Sequence, residues 1–346
     1  MERSAWEARL RGSPELLALD IDPLSDRVEF RALPHVAYER ASFLDRRLEG
    51  PVALSAPFAQ VAAAAAGLGT KCDFIFHIGH VGSTLMSRLL GVHPALFGVR
   101  EPQALRTLAQ AELDASPWGA SDLRVRLDVF LTLYARTWTA EAHTMLKATS
   151  LVGELAGGLL DLRPQARALL MTTSPEVYLA TLLSGPNSRV ELGAAAPNRL
   201  ARLQRRLGAD PWPVGALSIG ELAAMSWACE MSALDAAAAR HPTRVRWIDF
   251  DAFLAAPADG LAGVLTFLGL DSGEDRVAAV LRSGYLERYS KAPEYAYGPQ
   301  LRREVLAAGR AELGAEIAKG MRWLEAAAQW PQIAAALTQE SLRRDA

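Results

Sequence analysis

The chain has 346 residues, half of them hydrophobic, with 37 basic against 39 acidic side chains and a formal net charge of −2. That is length for one large α/β domain or two smaller ones, with ample apolar material for a core. The near-neutral balance gives no reason to expect a nucleic-acid or acidic-membrane partner. The two cysteines, Cys72 and Cys229, make no disulfide framework and are expected as buried thiols. No metal-ligand spacing involves the six histidines.

The N-terminus, Met1-Glu2-Arg3-Ser4-Ala5-Trp6-Glu7, has no apolar core of a secretion signal. No apolar run reaches the roughly 18 residues of a membrane span, so a cytoplasmic protein is expected. Leu17 to Pro23 reads as a short edge strand or turn, Tyr38 to Leu48 as helical, and the alanine cluster Ala62–Ala66 as part of a helix ending at Gly67 or Gly69. From Cys72 onward short apolar segments alternate with helical patterns, which marks a parallel sheet flanked by helices. The expected strands are Asp73–Ile78, Leu96–Val99, Thr144–Lys147, Ala168–Thr172 and Val245–Asp249. Helices are expected from about Ser121 to Ala142, Ser218 to Arg240 and Pro299 to Ala328, the second with Leu222, Met225, Cys229 and Ala233 on one face. Asp210-Pro211-Trp212-Pro213 and Ser184-Gly185-Pro186-Asn187 punctuate loops. No repeat and no low-complexity linker interrupts the chain. The expected organisation is an N-terminal extension over 1–70 packed on a core over 71–295, followed by C-terminal helices over 296–346.

The segment with the most chemistry runs from Cys72 to Leu90 and contains Gly79-His80-Val81-Gly82-Ser83-Thr84. A strand, a glycine turn, two hydroxyl residues and a helix make a phosphate-binding loop. Glycines let the backbone approach an anion, the helix N-terminus points free N–H groups at it, and the hydroxyls add donors. A nucleotide-hydrolysing loop reads G-x-x-x-x-G-K-[ST]. Here Ser83 follows Gly82 directly, so that lysine is absent and the loop suits a phosphate better than Mg-nucleotide hydrolysis.

The continuation Leu89-Leu90-Gly91-Val92-His93-Pro94-Ala95-Leu96-Phe97-Gly98-Val99-Arg100-Glu101-Pro102 adds a stopped helix, a second strand and an acidic residue at that strand's end. From Phe74 to Pro102 the pattern resembles the sulfotransferase superfamily, and most closely the branch of tyrosylprotein sulfotransferases and bacterial sulfotransferase-like proteins. It is patchier through Tyr295 and says little of residues 1–70 or the last fifty. The resemblance implies a three-layer α/β/α P-loop fold with a central, mostly parallel sheet and extra helices at both ends. It also implies 3′-phosphoadenosine 5′-phosphosulfate (PAPS) as co-substrate, held on its 5′ side by Gly79, His80, Val81, Gly82, Ser83 and Thr84, with no metal.

His80 stands where the family usually has Lys or Arg. A protonated or donor imidazole there would contact the departing nucleotide, more weakly and with pH dependence. By the same resemblance Glu101 takes the place of the family's base, and Lys147, closing Thr144-Met145-Leu146-Lys147, that of the lysine near the sulfuryl group. The bland alternative for Glu101 is a charge at a helix start or a salt bridge with Arg100 or Arg106. Thr173 and Thr181 occupy positions where the family binds the 3′-phosphate with Arg and Ser. The lost cation weakens that site unless Arg189, or Lys291 beside Ser290 in the late loop Tyr289-Ser290-Lys291-Ala292-Pro293, replaces it. Asp251 is expected to cap the next turn, and the Arg199–Arg206 helix to be a solvated face.

The expected function is sulfuryl transfer from PAPS to a small hydroxyl or amine acceptor. Two rivals stand beside it: a kinase-like nucleotide-binding transferase and a non-catalytic binding protein of the same fold. The acceptor is not legible, but its pocket is expected from the variable segments 103–143 and 185–215.

Overall fold

The computed structural model describes residues 5–114, 116–291 and 294–344. Met1–Ser4 of the N-terminal reading and Ala292-Pro293 of the late loop lie outside them. The centre is a five-stranded parallel sheet in the order β5-β6-β4-β7-β8. Its strands are β4 (Cys72–His77), β5 (Leu96–Arg100), β6 (His143–Lys147), β7 (Ala168–Thr172) and β8 (Val245–Asp249). Every described pairing in it is parallel, and helices flank it, so the α/β class and the five expected strands are found. β4, β6 and β7 are buried along their whole length. Strands covered on both faces need continuous apolar runs rather than alternation, and Phe74-Ile75-Phe76 supplies one. The polar member of β4, Asp73, is satisfied by His143 Nε2 at 2.9 Å and by the Arg167 backbone N–H at 2.7 Å.

The N-terminal extension is more than helices. Three strands, β1 (Leu16–Asp22), β2 (Arg27–Ala32) and β3 (Leu54–Pro57), form a separate antiparallel sheet in sequence order. The Leu17–Pro23 segment is therefore a strand, buried at every position but its last. The expected helix over Tyr38–Leu48 instead covers His35–Arg40 and stops. Two buried arginines explain the stop. Arg100 donates to the carbonyls of Tyr38, Glu39 and Ala41, and Arg88 to those of Glu39 and Arg40. Carbonyls claimed by guanidiniums satisfy the helix end, and the chain turns outward at Ala41.

The C-terminal helices Pro299–Ala327 and Pro331–Arg344 pack on the helix Ile219–Arg240, whose start is fixed by a Ser218/Glu221 capping box. Gly220 lets two helices cross at backbone contact: a Cβ there would sit 1.9 Å from the Glu316 carbonyl oxygen. Among the described residues no helix is long and apolar enough to cross a membrane.

All of this places the carboxyl ends of the parallel strands on one edge. His77, Arg100-Glu101, Lys147, Thr172-Thr173 and Asp249-Phe250-Asp251 end or follow β4 to β8 there. In open α/β sheets ligands bind at that edge, where the strand order reverses.

Candidate functional site

The turn after β4 is bent by three left-handed residues, Gly79 (φ 88°), His80 (φ 57°) and Gly82 (φ 66°), and the helix Ser83–Leu90 starts at once. Gly82 is required twice over. Its φ favours glycine, and a Cβ would lie 2.0 Å from the Phe250 ring. Successive backbone N–H groups around such a turn, ahead of a helix N-terminus, form an anion-binding concavity. Thr84 Oγ1 is buried there and, among the described residues, has no hydrogen-bond partner.

This turn is one wall of a cleft of about 260 Å³. The cleft brings together His80 to Thr84, Glu101, Lys147, Thr181, Ser290 and Lys291 from the sequence expectations. Its basic lining residues are Lys147, Arg288, Lys291 and Arg302, against Glu101 as the acidic one. In a chain of net charge −2 the cleft is thus locally cationic, which concentrates anions where water is scarce.

Lys147 is 1% exposed and its Nζ donates to Glu101 Oε1. The register that pairs Arg100 with Lys147 across β5 and β6 sets the two side chains together, and the Glu101 backbone N–H donates to the Lys147 carbonyl at 2.6 Å. Glu101 adopts φ 48°, a strained value for a residue with a Cβ. Arg100 serves the helix end described above, so neither it nor Arg106 is the partner of Glu101. Burial lowers the Lys147 pKa, with Glu101 opposing it. Phe43, from the N-terminal extension, lies between two lysines, its ring centre 5.8 Å from both Lys147 Nζ and Lys291 Nζ.

For His80, burial, reinforced by Lys291 and Arg199, pushes the pKa down to about 3, which favours the neutral donor of the two expected forms over the protonated one. A second histidine, absent from the sequence reading, sits beside it. His77 Nδ1 accepts the Gly79 N–H at 3.0 Å, which leaves the proton on Nε2, 3.8 Å from Glu101 Oε1. Its place as the last residue of β4 was the available signal.

The 3′-phosphate expectations divide. Thr181 lines the cleft, its hydroxyl donating to the Val177 carbonyl at 2.7 Å. Thr173 is outside the lining: it is 1% exposed and donates to Asp251 Oδ2 at 2.5 Å. Arg189 also lies outside, folded onto the Leu183 carbonyl at 2.9 Å. Asp251 is not the cap of the following helix, which is Asp249, accepting from the Ala252 N–H at 2.8 Å. Asp251 instead receives Arg302, whose Nε and Nη2 reach its Oδ1 at 3.1 and 3.0 Å.

Arg302, like His77, is a residue the sequence reading missed. It is 5% exposed, lies over the Phe250 ring at 4.8 Å, and lines the cleft from the first turn of the Pro299–Ala327 helix. The late loop is tied in by Arg88 Nε, which donates to the Ser290 carbonyl at 2.7 Å, and by Ser42 Oγ, which donates to the Lys291 carbonyl at 2.9 Å. Among the described residues no group of three or more His, Cys, Asp and Glu could hold a metal ion.

No protein-family profile matches the chain, and no curated protein matches it. Among solved structures it is similar to a sulfotransferase domain from the curacin biosynthetic pathway, at 15% identity and TM-score 0.39, over 66% of this chain and 84% of that one. A sulfotransferase from Mycobacterium avium matches at 12% identity and TM-score 0.40, over 74% of this chain and 80% of that one. One from Mycobacterium tuberculosis H37Rv matches at 16% identity and TM-score 0.40, over 71% and 79%.

Proposed function

We propose that this chain is a transferase that moves a sulfuryl group from PAPS to a hydroxyl or amine of a small acceptor. One observation carries the reading. A buried lysine and a carboxylate from adjacent strand ends, Lys147 and Glu101, meet in the cleft beside an anion-binding turn that lacks a lysine of its own. A nucleotide-hydrolysing P-loop would ask for the loop lysine, and sulfuryl transfer asks for a base and a cation at the group in flight.

The cleft fits a doubly anionic nucleotide. The turn's N–H groups and the unpartnered Thr84 hydroxyl suit the 5′ side. Arg302 supplies the cation missing at Thr173, with Thr181 and Ser188 lining the same cleft. Asp251 engages the Nε and Nη2 of Arg302 and Tyr297 hydrogen-bonds the same side chain, which together orient the guanidinium at the cleft wall. Bound PAPS supplies an activated sulfuryl group. The acceptor atom bonds to sulfur as the bond from sulfur to the bridging phosphate oxygen breaks. Glu101 takes the acceptor's proton, and Lys147, released from Glu101 as that carboxylate is neutralised, offsets negative charge on the transferring oxygens. His77, with its tautomer fixed by Gly79, presents an N–H 3.8 Å from Glu101 Oε1.

Thermal shifts with 3′-phosphoadenosine 5′-phosphate (PAP), 5′-AMP and ATP test the proposal, since a ligand of the native state stabilises it by mass action. PAP should stabilise the protein at the lowest concentration, and without magnesium. Equal or greater stabilisation by Mg-ATP would turn the reading toward phosphoryl transfer, and no response to PAP would leave a non-nucleotide binding role.

A further inference from the structure

A second cleft, of about 340 Å³, adjoins the first at Glu101, which among the described residues is the one lining both. Its walls come from Arg106 and Gln110 on one helix, Thr149 just after β6, and Glu191, Asn198 and Arg199 on the helix Pro186–Leu207. The two helical walls lie within 103–143 and 185–215, where the acceptor was expected to be held, and Thr149 lies outside both. The lining is mostly polar, with Leu151, Ala194 and Ala195 its apolar members.

The helix that carries Arg199 was expected to be a solvated face, and it is not one. Arg199, Arg202 and Arg206 are engaged with Glu230 and Glu154 in a cluster of three guanidiniums and two carboxylates. Glu230 is fully committed, to Arg199 Nε at 3.1 Å and Arg202 Nη2 at 2.6 Å. Glu112 acts on Glu154 from beside this cluster, so the charges are nearly balanced, and it is the unshared N–H groups of Arg199 rather than net charge that the cleft presents. Arg199 is 7% exposed, and among the described residues its two η nitrogens have no hydrogen-bond partner. In the same wall Thr149 Oγ1 is a buried hydroxyl without a partner among the described residues. At the rim, exposed Arg106 makes no hydrogen bond or close ion pair among the described residues. Glu191, the opposing rim charge, is exposed, where water screens it.

We propose that this second cleft is the acceptor site, and that it takes a small hydroxyl-bearing carboxylate whose anionic end is held by Arg199 and Arg106 while its hydroxyl meets Glu101. A guanidinium with two free N–H groups matches a carboxylate bidentately, and Thr149 completes the polar contacts. The inference rests on sulfuryl transfer for the role of Glu101, but the ligand chemistry of the cleft stands on its own geometry. The acceptor oxygen bonds to sulfur, its proton passes to Glu101, and PAP leaves through the first cleft.

The test is ligand-observed NMR titration of the full chain with 4-hydroxybenzoate, 4-hydroxybenzamide and 4-hydroxybenzylamine, which share a phenol and differ in the charge of the far end. 4-Hydroxybenzoate should bind at least ten-fold more tightly than the amide. Arg199→Gln and Arg106→Gln should each reduce that preference several-fold, Arg106→Gln from an exposed position that leaves folding intact. Equal affinities, tighter binding of the amine, or a preference that survives both substitutions would overturn the proposal. A parallel PAP thermal shift separates the two readings. A carboxylate preference without a PAP response sinks sulfuryl transfer and leaves this site, whereas a PAP response without the preference does the reverse.

Discussion

Glu101 and His80 hold positive φ angles of 48° and 57°, conformations that cost a residue with a Cβ about 1–3 kcal/mol and persist where surrounding contacts over-determine them. For Glu101 those contacts are the Lys147 carbonyl and ammonium, so the strained residue and the buried cation hold each other. Glu101→Gln removes the base and leaves Lys147 without its counter-charge. Turnover, or slow PAPS hydrolysis in its place, should fall ~10²–10⁴-fold, and unfolding free energy by up to about 3–5 kcal/mol. PAP should still bind and should stabilise the variant at least as much as wild type, because its phosphates supply charge that the variant lacks. Loss of PAP binding together with turnover would show Glu101 to be a structural residue. His80 makes a separate prediction about pH. Its pKa, depressed to about 3, means that between about pH 3 and 6.5 the unfolded chain binds a proton at this ring that the folded chain does not. Stability must then rise with pH across that window and fall as pH drops through it. His80→Gln should flatten the slope by up to one proton, about 1.4 kcal/mol per pH unit, in denaturant midpoints measured from pH 4 to 7. An unchanged slope would mean that the folded ring titrates near its ordinary value.

At the level of elements, the anion-binding turn is locked from outside by Phe250, at the end of β8, and Phe250 in turn by Arg302. Gly82→Ala should cost about 1–3 kcal/mol, since the methyl overpacks the ring and the backbone is left-handed. Adding Phe250→Leu should recover the packing share of that loss and none of the backbone share, so the double variant should cost less than the sum of the two single costs; strict additivity would show that the ring is no constraint. Arg302→Met keeps bulk on Phe250 while removing the charge. It should weaken PAP at least ten-fold and 5′-AMP little, and equal losses for both ligands would remove Arg302 from the 3′-phosphate role. The strands that frame this site were legible to within a residue or so, because Ala168–Thr172 is a short apolar run buried on both faces and bounded by polar residues, and Val245–Asp249 carries the β-favouring Val, Trp and Ile. Other elements were not. Leu54–Pro57 is four residues long and becomes a strand through pairing with Arg27–Phe30, a partner that no local pattern names. The helix over Tyr38–Leu48 was read from propensity, and Arg88 and Arg100 overrule it from distant parts of the chain. Arg302 was hidden for the same reason, since beside Arg303 it reads as a solvated helix start until Asp251 and Phe250 are brought beneath it.

Over the whole molecule, the N-terminal extension is part of the site's construction rather than an appendage to it. Arg88 reaches from the helix of the anion-binding turn to the carbonyls of Glu39 and Arg40, the hydroxyl of Ser42 and the carbonyl of Ser290. One guanidinium, 4% exposed, thus joins the turn, the extension and the late loop that carries Lys291. Phe43 follows directly from that junction and sits between the two lysines. Such a junction couples three segments that are far apart in sequence, so ordering any one should order the others. PAP binding should slow amide hydrogen exchange together in 38–48, in 79–86 and in 284–291. Arg88→Met should abolish that concert. It leaves several carbonyls without donors at about 1–3 kcal/mol for each one that water cannot reach, so exchange should speed up in 38–42 and 288–291 even without ligand. The central sheet holds its own hydrogen bonds and has no stake in Arg88, so exchange in 72–77 and 168–172 should change little unless global stability falls. Protection by PAP confined to 79–86, with the extension and late loop unmoved, would show that the three segments merely touch, and that Lys291 reaches the cleft independently of the extension.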